Sequence, residues 1–114
     1  ENGLTQDDFK NELVGLMFSC VEIWHKSTGK SNLELAEESG LWLVSVEEGH
    51  LRTRTMNRYI DIHKVPDNPR WRQVVKTGHY ILSHCQLMIA DRMLLNEKIE
   101  AVMTYVRQQA TIKI

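Results

Sequence analysis

The side chains best suited to bind a charged partner are the basic residues in the middle of the chain. Residues 50–80 hold seven Lys or Arg and two Asp, whereas residues 1–49 hold three Lys and ten Asp or Glu. These segments therefore carry charges of +5 and −7, and residues 81–114 add +1 to reach the overall charge of −1. The basic residues of the middle segment are Arg52, Arg54, Arg58, Lys64, Arg70, Arg72 and Lys76.

Two kinds of partner suit this segment. Arginine binds phosphate through paired hydrogen bonds and aromatic rings stack on bases, so Tyr59 and Trp71 among the arginines are typical of a nucleic-acid-binding surface. A helix over residues 51–63 would then enter the major groove, with Asn57 and Arg58 among the base-reading residues. However, an overall charge near zero weakens long-range attraction to DNA. We therefore expect the basic face to bind an acidic surface, which lies in the N-terminal half of the same chain, on a second copy of the chain or on an acidic protein partner.

Apolar residues next to the basic segment point to the same kind of partner. The four consecutive residues from Leu41 to Val44 cannot all face one core from a single helix, so some must contact another element or another chain. Tryptophan is favoured at protein interfaces because it buries a large area. Either a five-helix bundle buries this run on all sides, or Leu41 and Trp42 bind a protein partner. We favour the partner.

One short segment has part of a phosphate-binding motif. Residues 28–31 read Thr-Gly-Lys-Ser, which contains the Gly-Lys-Ser ending of a Walker A loop. The first glycine of that motif would stand at position 24, which is Trp24, and the preceding residues have the periodicity of a helix rather than a strand. The segment is therefore interpreted as a polar loop between helices.

The cysteines and histidines have the wrong spacing for a metal site. Cys20 and His25 are five residues apart, as are His79 and His84, which places each pair about 140° apart around a helix. Zinc needs ligands that converge on one point. Cys85 follows His84 on an apolar helical face, where burial makes a thiol unreactive. We therefore predict no metal, no cofactor and no enzymatic activity, and two reduced thiols of an intracellular protein.

Helical periodicity dominates the elements that must position these residues. The clearest helix runs from the N-cap Thr5 to Lys26, and a second row of apolar residues predicts that it is contacted on two sides. A second helix begins at Asn32. A further helix is predicted to start with Pro69 at its first position and Asn68 as its cap.

Residues 41–56 allow two structures. Gly40 either ends the second helix, so that a strand over 41–46 and a returning strand over 51–56 form a hairpin, or it lies inside a longer helix. We favour the helix, followed by another helix over residues 51–63.

The C-terminal part of the chain needs a break. In the helix after Pro69, Gly78 lies in the middle of the apolar stripe, where it allows two backbones to approach. An unbroken helix over residues 79–110 would be about 48 Å long, whereas a domain of this length has a radius of gyration of about 13 Å. We therefore predict a break near Asp91 or Asn96.

Together these patterns predict one all-α domain over residues 1–114, a bundle of four to six helices with residues 41–56 as its one candidate β-hairpin. The sequence shows no membrane-spanning stretch and no signal peptide. We expect a non-catalytic protein–protein interaction or oligomerisation module from a larger intracellular regulatory protein, which binds an acidic protein or itself. The alternative is a helical nucleic-acid-binding domain that uses the arginines of residues 52–76.

Overall fold

The computed structural model describes residues 5–113, and within them the fold is five α-helices and one two-stranded antiparallel sheet. This confirms the predicted helical bundle with a short hairpin. No helix of this part of the chain is long and apolar enough to span a membrane. In chain order the elements are α1 (Gln6–Thr28), α2 (Asn32–Ser39), β1 (Ser45–Glu47), β2 (His50–Arg52), α3 (Arg54–Asn57), a 3-10 turn (Arg58–Ile60), α4 (Trp71–His84) and α5 (Ile89–Lys113).

Helix α1 is the central element, as its two apolar rows predict. Thr5 caps it through a hydrogen bond from the Asp8 amide to the Thr5 hydroxyl, and the Asp8 carboxylate accepts in return from the Thr5 amide. The helix contacts α2, α4, α5 and the 3-10 turn. Its inward face supplies much of the core, with Leu13, Leu16 and Met17 fully buried.

The preference for a helix over residues 41–56 is wrong, because the hairpin forms instead. Gly40 adopts the left-handed conformation, with φ of 68°, and its amide donates to Ala36, which ends α2. The strands β1 and β2 then pair through a two-residue turn in which Glu48 and Gly49 both have positive φ, 52° and 80°. This geometry matches the right-handed twist of paired strands, so the turn closes the hairpin tightly.

The helix predicted over residues 51–63 is much shorter than expected. Residues 50–52 pair with residues 45–47, so their backbone groups are committed to the sheet. Helical backbone begins only at Arg54 and ends at Ile60, since Asp61 is extended. Within this short stretch Met56 and Tyr59 are buried, three residues apart, and they anchor it to the core.

Helix α4 begins at Trp71, two residues later than predicted. Arg70 is the N-cap residue and its side chain makes no capping hydrogen bond, so the assignment of Asn68 as the cap is wrong. The Arg70 amide donates to the Tyr59 hydroxyl at 2.7 Å, which holds this residue outside the helix. Gly78 does allow a close approach, because a Cβ atom there would lie 2.9 Å from Cδ1 of Ile99 on α5.

The break in the C-terminal part lies at residues 85–88 rather than at Asp91 or Asn96. Cys85 is extended, and α5 then runs without interruption from Ile89. The early break lets α5 turn back along α1, where Lys26 pairs with Asp91 at 2.7 Å. Asn96 therefore lies inside a helix that packs on the core through its neighbour Leu95.

Candidate functional site

A concave surface of about 540 Å³ lies where the hairpin meets α3. We call it the basic groove, and its lining residues are Arg52, Arg54, Asn57, Arg58 and Lys64. Four of the five carry a positive charge, and the fifth has an amide side chain that can both donate and accept hydrogen bonds. Such a surface attracts anions and offers them several directed donors.

The fold brings these five side chains together from consecutive short elements. Arg52 ends β2, Arg54 and Asn57 lie on α3, Arg58 opens the 3-10 turn, and Lys64 follows in the loop. All five residues are exposed. The buried residues between them face inward, so the polar side chains are left on the outer surface.

Aromatic packing and a hydrogen bond fix the backbone beneath the groove. The Tyr59 ring lies 5.3 Å from the Trp42 ring, measured between centroids, and its hydroxyl accepts from Arg70. On the groove itself, Nε of Arg58 donates to the Lys64 carbonyl at 3.4 Å. The loop that carries Lys64 is thereby held beside the short helix.

One groove arginine has a carboxylate partner. Nε of Arg54 lies 2.7 Å from each carboxylate oxygen of Glu47, and Nη2 lies 2.6 Å from Oε1. These hydrogen bonds lower the pKa of Glu47 and raise that of Arg54. Only the hairpin, which places residue 47 opposite the start of α3, reveals the contact.

The three remaining basic residues of the prediction lie outside the groove lining. Arg70 and Arg72 border a separate shallow depression at the start of α4, where the Arg72 guanidinium lies 4.4 Å from the Trp71 ring centroid. Lys76 is exposed one turn further along the same helix. The predicted basic face is thus divided into a groove and a patch on α4.

The predicted apolar partner surface is not formed as expected. Trp42 is only 5% exposed, and its indole N–H donates to the Thr77 hydroxyl at 2.8 Å. It is therefore a core residue and is not available to a partner. Leu41 is half-buried against the core, and only Leu43 of this run is strongly exposed, at 70%.

The other chemical candidates have structural roles. Both cysteines are buried free thiols, and burial raises the pKa of each of them. No group of three or more His, Cys, Asp or Glu residues within residues 5–113 is arranged to hold a metal ion. In the Gly-Lys-Ser loop, the Lys30 ammonium pairs with Glu38 at 2.8 Å, which ties the loop to α2.

No protein-family model matches this sequence, and no curated protein sequence matches it. A solved structure does match: a high-resolution crystal structure of the DNA-binding domain from the sensor histidine kinase ChiS of Vibrio cholerae. The TM-score is 0.84 and the sequence identity 33%, over 90% of this chain and 95% of that chain.

This similarity overturns the prediction of a protein-interaction or oligomerisation module and favours the alternative, nucleic-acid binding. The physical reason for the error is the burial of Trp42, which removes the anchor of the expected apolar surface. At this level of identity and coverage, the chain belongs to the same family as the ChiS DNA-binding domain.

Proposed function

We propose that this domain binds double-stranded DNA through the basic groove. The observation that carries the proposal is the groove lining itself, in which Arg52, Arg54, Arg58 and Lys64 surround the amide of Asn57. Membership of a family that includes a DNA-binding domain supports it. Protein–DNA contacts combine cations that hold the backbone with polar side chains that reach base edges, and this groove offers both.

The groove residues have two different roles in DNA binding. Within the described residues, Arg52, Arg58 and Lys64 form no ion pair with a carboxylate, so their charged groups can bind phosphate. Asn57 lies between them, and its amide can pair with the edge of adenine. Arg52, Arg58 and Lys64 therefore position the duplex, and Asn57 contributes to recognition.

The patch on α4 is a second group of exposed cations, and the hydrogen bond from the Arg70 amide to the Tyr59 hydroxyl connects it to the residues beneath the groove. We expect Arg70, Arg72 and Lys76 to bind phosphate groups of the DNA backbone, because all three side chains are exposed and positively charged. The contact between Arg72 and Trp71 restrains the guanidinium, which reduces the entropy lost on binding. These residues add affinity without sequence preference.

The role is binding rather than catalysis, exerted inside the cell where DNA lies. The groove is an open depression lined by cations, and such a site suits a polyanion. Enzyme active sites, by contrast, are enclosed pockets with convergent polar groups.

The experiment that tests the proposal is a salt titration of DNA binding. Fluorescence anisotropy of a labelled mixed-sequence duplex is measured from about 50 to 200 mM salt for the native domain and two double variants. Arg52→Ala with Arg58→Ala removes two groove cations. Arg92→Ala with Arg107→Ala removes the same charge from exposed positions on α5 and is the matched control.

The native domain is expected to bind, with affinity falling steeply as salt rises. The groove variant should bind at least about tenfold more weakly, and its dependence on log salt should be shallower by about two. The α5 variant should keep most of the native affinity. Equal losses in the two variants, or a native domain that binds no duplex, would contradict the proposal.

A further inference from the structure

The contact between Arg54 and Glu47 occupies one particular edge of the guanidinium group. A guanidinium has five N–H donors, arranged along a side edge (Nε and Nη2) and an end edge (Nη1 and Nη2). Glu47 accepts from Nε and Nη2, so it occupies the side edge. No described residue accepts a hydrogen bond from Nη1 on the end edge, and the Arg54 side chain is 72% exposed. The arginine therefore presents two parallel donors to the groove in a fixed direction.

Glu47 is itself held in place, so the direction is defined by the fold. It lies in β1 directly opposite His50 of β2, next to the tight turn of the hairpin. The Ser45 hydroxyl lies 3.5 Å from its Oε2 atom. Orienting a long side chain before binding removes much of the entropy cost of using it.

The same contact makes Arg54 poorly suited to hold phosphate. The ion pair is neutral as a whole, and the Glu47 carboxylate repels a phosphate group, whereas Arg52 and Arg58 of the same groove form no ion pair within residues 5–113. What Arg54 retains is a directed pair of donors. Among the base edges of the major groove, only guanine presents two acceptors side by side, O6 and N7.

We propose that Arg54 reads a guanine in the major groove of the bound DNA, and that Glu47 is the positioning residue that aims it. This inference rests on the proposed function, since it concerns the same groove. It separates the arginines into one that sets sequence preference and others that set affinity.

The test begins with selection from a random-sequence duplex pool by the native domain. Each guanine of the selected motif is then replaced one at a time by 7-deazaguanine, which lacks the N7 acceptor, and by adenine with its pairing thymine. Anisotropy competition gives the affinity ratio between native and substituted duplex. The ratio is measured for the native domain and for Arg54→Ala, Arg52→Ala, Glu47→Gln and Glu48→Gln.

We expect one guanine whose change to adenine weakens native binding by about 5- to 150-fold. This ratio should fall to near one in Arg54→Ala and decrease several-fold in Glu47→Gln. Arg52→Ala should weaken binding to all duplexes alike and keep the ratio. Glu48→Gln removes the same charge as Glu47→Gln from the exposed hairpin turn, and it should also keep the ratio. Thermal melts confirm that each variant is folded.

Two results would overturn the inference while leaving the proposed function intact. One is native binding without any guanine preference, and the other is a preference that Arg54→Ala retains. A native domain that captures no duplex from the pool would instead reject the proposed function, and the inference with it.

Discussion

Trp42 shows how one side chain decides between a core and an interface. Trp42 is a large apolar residue in the run from Leu41 to Val44, a type that is favoured at protein interfaces. However, its indole N–H donates to the buried hydroxyl of Thr77. A buried tryptophan needs such a partner for its N–H. The sequence does not reveal one, since Thr77 lies 35 positions away on another helix.

We predict that Trp42→Ala lowers the free energy of unfolding by about 3 to 5 kcal/mol, because it empties a large volume of the core. Trp42→Phe keeps part of the packing and should cost less, although the hydrogen bond to Thr77 is lost at about 1 kcal/mol. Leu43→Ala is the matched control, since Leu43 is 70% exposed, and it should change stability by less than about 0.5 kcal/mol. Urea unfolding measures all three. A Trp42→Ala variant as stable as the native domain would show that residue 42 is not in the core.

At the scale of elements, the sequence predicts what is encoded locally and fails where strands pair. The start of α1 is correct because Thr5 and Asp8 form a capping box within four residues. The preferred helix over residues 41–56 and the bounds of the helix predicted over residues 51–63 are wrong, because pairing between β1 and β2 overrides weak helical periodicity. The groove therefore could not be assembled from the sequence, even though all five of its lining residues were named.

The turn of the hairpin gives a prediction about stability. Glu48 has a φ of 52°, a conformation that costs an L-residue free energy and that asparagine tolerates better. Glu48→Asn should therefore raise the free energy of unfolding, by up to about 1 kcal/mol. Glu34→Asn, at an exposed position in the first turn of α2, is a comparison that should destabilise, since it removes a capping-box carboxylate. If Glu48→Asn destabilises the domain, the turn geometry described here is wrong.

The crossing of α4 and α5 gives a second prediction. A methyl group at Gly78 would lie 2.9 Å from Cδ1 of Ile99, so Gly78→Ala forces that side chain to move. Overpacking costs about 1 to 3 kcal/mol, while alanine gains about 1 kcal/mol in helix propensity. We expect a net loss of about 1 kcal/mol.

Ile99→Val removes the Cδ1 atom, so this variant relieves the steric clash with a methyl group at residue 78. In that background Gly78→Ala should be less destabilising than in the native chain, by about 0.5 kcal/mol or more. A double-mutant cycle from thermal or urea unfolding measures this difference. Strict additivity would indicate that the two helices are further apart than the structure has them.

At the scale of the whole molecule, average charge was a poor guide to the partner. The overall charge of −1 conceals the separation between an acidic N-terminal segment and a basic middle segment. The electrostatic potential that a ligand experiences is set by nearby charges, because salt screens charges that are more than about 10 Å away. The hairpin, α3, the 3-10 turn and the loop after it bring four cations into one groove. This local charge, most of it without an ion-pair partner among the described residues, carries the proposed function.

Chemical-shift mapping of the backbone amides tests the location of the DNA site most directly. A short mixed-sequence duplex is titrated into the isotope-labelled domain at low salt. We expect the largest shifts within residues 50–64, and smaller ones at the start of α4 around Arg70 and Arg72. Residues 89–107 of α5 should change little. Shifts that cluster on α5 while residues 50–64 stay unchanged would contradict the basic groove as the DNA-binding surface.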